Sequence, residues 1–132
     1  MTLTSRSNRA LIVHPDLGSV SELQHALSRN GYEVVSARDL PSALLAAMHH
    51  FFDVVVISAR VSEEGDGWPL AGVMHLIFPR AHIAVIARDK NVSTLQAAIN
   101  HGASGVFEAK TPPADIVGAI LKKVPPSTKR IQ

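Results

Sequence analysis

Five short apolar runs recur along the chain at intervals that leave room for one helix between each pair. They are Ala10 to Val13, Tyr32 to Val35, DVVVIS at 53–58, HIAVIA at 82–87 and SGVF at 104–107. The stretches between them change period. Val20, Leu23 and Leu27 return at helical spacing until Asn30-Gly31 stops the pattern, and Asp39 and Pro41 open a second helix with Ala43, Leu44, Ala47, Met48 and Phe51 as its expected buried face. Leu70, Val73, Met74 and Ile77 mark a third helix with Pro69 in its first turn. Val92, Leu95 and Ile99 mark a fourth, which ends at His101-Gly102. Thr111 is the expected N-cap of a fifth, with Pro112 at its first position and Ile116, Val117, Ile120, Leu121 and Val124 as its buried stripe.

Strands that alternate with helices across short connections predict a three-layer α/β/α sandwich. The commonest small version is flavodoxin-like, a (βα)5 chain with a five-stranded parallel sheet in the order 2-1-3-4-5. DVVVIS is apolar on both faces, so it belongs in the middle of the sheet. In such a sheet, ligands gather beyond the carboxyl ends of the strands near the switch in strand order. That rule selects His14, Pro15 and Asp16 after the first strand, Ser58 after the third and Ala87 after the fourth.

The chain of 132 residues is one domain in size. With 46% hydrophobic and 18% charged residues it has an ordinary globular balance. No apolar run approaches the roughly 18 residues of a membrane span, and MTLTSRSNR has no signal-peptide core, so the expected compartment is the cytoplasm. Without cysteine there is no disulfide, no thiolate metal site and no thiol nucleophile. The formal charge is +2, and several basic residues lie in the terminal segments SRSNR and KKVPPSTKR. Clustered Lys and Arg with stacking aromatics are not the pattern here, which argues against direct binding of nucleic acid.

The segments ALIVHPD, GYEVVSARDLPSALLAAMHHFFDVVVIS, the DG at 66–67 and HGASGVFEAK resemble, in order and spacing, the receiver (CheY-like) domains of bacterial two-component response regulators. The resemblance covers roughly residues 9 to 124 and implies a receiver-like domain there, with 1–8 as an N-terminal tail and 125–132 as a C-terminal tail or linker stub. Working members of that family carry an acidic pair after the first strand and an aspartate that takes a phosphoryl group after the third. They also carry a Ser or Thr after the fourth strand and a Lys after the fifth.

This sequence departs from that pattern at nearly every position. The acidic pair falls on His14 and Pro15, with Asp16 one place late, and the phosphoacceptor position falls on Ser58. The hydroxyl position falls on Ala87. The lysine position falls on Ala109, or on Lys110 after a one-residue insertion, and the switching aromatic on Val106 with Phe107 beside it. The loop between Ser58 and Asp66 is one residue longer than the usual pattern, with Ser62 where proline is common.

The family's reaction needs Mg²⁺, which demands oxygen ligands in near-octahedral geometry. Asp16 and Asp66 are the weak candidates, so binding of Mg²⁺ is expected to be weak or absent and no other cofactor is implied. A serine hydroxyl would need a base and would form a stable ester, whereas a carboxylate forms a labile acyl phosphate. A dyad of Ser58 and His14 lacks a G-x-S-x-G elbow and an oxyanion glycine. The histidines share no metal-ligand spacing, and EEGDG is not followed by G-K-[ST].

The expected protein is therefore a degenerate receiver, or pseudo-receiver, that has no enzymatic activity and acts in phosphorelay signalling by binding protein. The resemblance implies a partner face on the fourth helix, fifth strand and fifth helix, including His101, Ser104, Val106, Phe107 and the residues after Pro113. It also implies a sensor kinase, another regulator or a second copy of the chain as partner, with the first and last helices as further faces. Two alternatives remain at this stage: an active phosphoreceiver that uses Asp16 or Asp66 as acceptor, and a small-ligand sensor that uses the emptied cleft.

Overall fold

A computed structural model describes residues 8–61 and 67–124. The strands are β1 (Asn8–Val13), β2 (Tyr32–Ala37), β3 (Val54–Ser58), β4 (His82–Ala87) and β5 (Gly105–Glu108). The helices are α1 (Leu17–Ser28), α2 (Leu40–His49), α3 (Gly67–Ile77), α4 (Val92–His101) and α5 (Pro113–Lys123). All strand pairs are parallel and the order is β2-β1-β3-β4-β5, the topology expected from the alternating periods. β1 takes in Asn8, one residue before the expected domain edge, because Asn8 pairs in register with Tyr32.

The pleat sends alternate residues to two cores. Leu11, Val13, Val55, Ile57, Ile83 and Val85 pack under α2 and α3. Ala10, Ile12, Val54, Val56, Ala84 and Ile86 pack under α1 and α5. Every residue of β3 and β4 is buried, as the uniform hydrophobicity of those runs requires.

Local signals fix most helix ends. Asp39 and Asn91 cap α2 and α4 by accepting from Ser42 N–H and Thr94 N–H, each at 2.9 Å. α1 and α4 give way to Gly31 and Gly102, at φ 88° and 73°. Both lie in the left-handed region that favours glycine. The expected start of α5 shifts by one residue. Pro112 sits at φ −59°, ψ 139° and is the N-cap, without a side-chain capping bond, and the helix begins at Pro113. A residue that precedes proline is driven out of the helical region, so Pro113 excludes Pro112 from the first turn.

The expected inward stripes of three helices need correction. In α2 only Ala43 is fully buried, while Met48 and Phe51 are largely exposed. In α3 Leu70, Ala71 and Met74 are buried, whereas Val73 and Ile77 are exposed. In α4 Ala98 is the buried residue, and Val92, Leu95 and Ile99 face outward. In α2 and α4 an alanine turns in, because helices that lie close to a sheet or to one another accept little side-chain volume at the contact, whereas α3 buries the larger Leu70 and Met74 beside Ala71.

Candidate functional site

The register brings the selected residues together at the carboxyl edge of the sheet. Val13 pairs with Ile57 and Ser58 with Ile86. His14, Ser58 and Ala87 therefore terminate three neighbouring strands.

Each of these residues is already engaged. The Asp16 N–H donates to His14 Nδ1 at 3.0 Å, which places the proton of a neutral ring on Nε2. Burial lowers the pKa of His14 from its ordinary value, against a smaller opposing pull from Asp16. Asp16 is the N-cap of α1, and its Oδ2 accepts from the Ser19 N–H at 2.9 Å and the Ser19 hydroxyl at 2.7 Å. Those bonds, the hydroxyl's first, hold its carboxyl below the usual range. The carboxylate is thus committed to the helix terminus. Pro15 is exposed beside it.

Ser58 is buried, and its hydroxyl closes on its own loop. Oγ donates to the Arg60 carbonyl at 3.1 Å and accepts from the Arg60 N–H at 3.3 Å. The loop is then drawn back over the strand end: Ala59 N–H donates to Ile86 O at 2.8 Å, and Gly67 N–H donates to Ala59 O at 3.2 Å. A Cβ at Gly67 would collide with the Ser58 carbonyl oxygen and the Ala59 backbone. Glycine is therefore required at the point where α3 begins. The DG dipeptide marked this position without revealing the close approach.

Ala87 packs with Ala98 and Val106 in a small apolar cluster that Trp68 and Ala103 border. Trp68 stacks on His101, with ring centroids 6.4 Å apart and planes at 26°. Of the expected partner face, Val106 is buried under α4 and His101 is half-buried against Trp68. Val106 therefore offers no free surface, because Ala98 of α4 packs over it. Ser104 is exposed on one side, while its hydroxyl oxygen accepts from the Ile83 N–H at 2.9 Å. Phe107 is half-buried in the core under α1 and α5, and Ala109 and Lys110 are exposed after β5. Asp66, with Ser62, Glu63 and Glu64, lies outside the described residues.

No family model matches this sequence, and neither does any curated protein. Solved structures share its fold. A CheY-like response regulator receiver domain from Methanospirillum hungatei JF-1 superposes with a TM-score of 0.81 at 21% identity, over 90% of this chain and 94% of that one. The signal receiver domain of an HD domain-containing protein from Pseudomonas fluorescens Pf-5 gives 0.78 at 22% identity, over 90% and 94%. A Burkholderia pseudomallei response regulator, solved with a phosphorylated aspartic acid, a calcium ion and citrate, gives 0.78 at 21% identity, over 86% of this chain and 66% of that one.

The receiver resemblance of the sequence implies a divalent cation near these strand ends, and the donors among the described residues do not fit one. Among the described residues no group of three or more His, Asp or Glu side chains is placed to hold a metal ion. Ser58 supplies a neutral oxygen turned toward Arg60, and Asp16 is bound to Ser19. Nor does any helix among the described residues have the length and apolarity to cross a membrane.

Proposed function

We propose that this chain is a pseudo-receiver: a receiver-like module of two-component signalling that acts by binding protein partners without taking a phosphoryl group. One observation carries the reading. The residue at the acceptor position, Ser58, has its hydroxyl closed on Arg60, between His14 and Ala87, where the receiver pattern has a metal-binding acid and a hydroxyl. Among the described residues, a phosphoryl group there would meet neither a set of carboxylates able to hold a metal ion nor a hydroxyl at Ala87. What the fold retains is a rigid frame for its outer helices, and α4 offers the exposed apolar residues Val92, Leu95 and Ile99. That stripe replaces the buried Val106 as the centre of the partner face.

The test is the intact mass after incubation with a small phosphoryl donor and Mg²⁺, with Ser58→Asp run in parallel. The native chain is expected to keep its mass. The variant is expected to do so as well, because Asp16 remains bound to Ser19 and Ala87 still lacks a hydroxyl. A labile phosphoryl adduct on the native chain would overturn the reading and identify an active phosphoreceiver with another carboxylate as acceptor.

A further inference from the structure

The layer formed by α2 and α3 carries no formal charge. Residues 40–52, LPSALLAAMHHFF, and 67–79, GWPLAGVMHLIFP, contain no Asp, Glu, Lys or Arg. Amphipathic surface helices ordinarily place charges on the side away from the core. Here the large apolar side chains stand there instead: Leu45, Met48, Phe51, Val73, Leu76 and Ile77 are between 38% and 79% exposed.

These side chains form one surface. Trp68 and Gly72 of α3 meet His101, and His75 meets Gly102, so that edge of α3 faces α4. Val73 and Ile77 lie on the opposite edge of the helix, toward α2. Met48 lies on the edge of α2 that turns toward α3, because the two helices run the same way over the same face of the sheet, and Leu45 stands on the outward side of α2 opposite the buried Ala43. At the end of both helices, Phe51 meets Phe78 edge-on with ring centroids 6.3 Å apart. Leu76 stands on the outward side of α3, opposite the buried Leu70, Ala71 and Met74.

We infer that this α2–α3 face is an isologous homodimer interface, its two-fold axis passing near Leu76. At roughly 100 Å² for each large apolar side chain, these side chains offer about 600 Å², close to the roughly 800 Å² per partner of a standard interface and at the upper limit of apolar patches on monomers. Homodimer interfaces are also the most apolar class. The charge pattern selects a second copy as occupant. A charged partner surface would lose water against this face and gain no counter-charge, whereas the face laid on itself opposes no like charges. A lipid surface would call for a rim of Lys or Arg, which α2 and α3 lack.

The inference does not depend on the pseudo-receiver reading, since it concerns a different face. Sedimentation velocity over micromolar to millimolar concentration tests it. The native chain is expected to reach a dimer in that range. Leu76→Glu and Met48→Glu should be monomeric with unchanged far-ultraviolet circular dichroism, since both side chains are exposed in the folded chain. Ile99→Glu on α4 should dimerise like the native protein. A monomer at millimolar concentration would overturn the inference, as would a dimer that survives Leu76→Glu or dissociates with Ile99→Glu.

Discussion

At the scale of single residues, the carboxyl edge of the sheet is defined by side chains turned to local tasks. Asp16 caps α1, Ser58 holds the turn to Arg60, and His14 accepts from the next loop. At the other end of the sheet His82 is buried, and its Nε2 has no hydrogen-bond partner among the described residues. Burial, and secondarily Lys123, lowers its pKa from the ordinary 6.5. The sign follows from linkage. The unfolded chain binds a proton more readily than the folded one, so the contribution of His82 is fully present above pH 6.5. It is lost as pH falls from there toward the lower folded value. Urea denaturation across this window should show stability declining on the acid side. His82→Gln should flatten the decline, and the slope that remains belongs to His14, whose shift has the same sign. A slope unchanged by the substitution would remove His82 from the account.

At the scale of elements, α4 is the instructive case. Its apolar spacing predicts a helix, and a helix forms there, yet Val92, Leu95 and Ile99 point outward while Ala98 points in. The two faces should respond oppositely to substitution. Ile99→Glu should change the unfolding free energy by no more than about 0.5 kcal/mol. Ala98→Leu, which forces volume against Ala87 and Val106, should cost about 1–3 kcal/mol. Chemical denaturation of the two variants decides the phase of the helix, and the reverse ranking would place the Val92 stripe in the core. The start of α5 shows the complementary case. There the shift from Pro112 to Pro113 was legible in the PP dipeptide, because the restriction on a residue before proline is local.

At the scale of the whole molecule, one outer layer, α1 and α5, carries charges, and the other, α2 to α4, carries none. A dimer through α2 and α3 leaves the stripe on α4 available to a partner of another kind. Association also couples to folding by mass action. The midpoint of thermal unfolding should therefore rise with protein concentration for the native chain and not for Leu76→Glu, as read by calorimetry at several concentrations. The sequence alone determined the succession of strands and helices, the parallel order of the sheet and the identities at the strand ends. Those follow from backbone periods and turn chemistry, which act over a few residues. Only the tertiary structure decided which face of α2, α3 and α4 turns inward, that Gly67 must lie against the Ser58 carbonyl and that Val106 is covered. Periodicity fixes the spacing of a stripe but not its direction. Close packing against a neighbouring element, distant in sequence, decides the direction: it turns an alanine inward in α2 and α4, and Leu70, Ala71 and Met74 inward in α3.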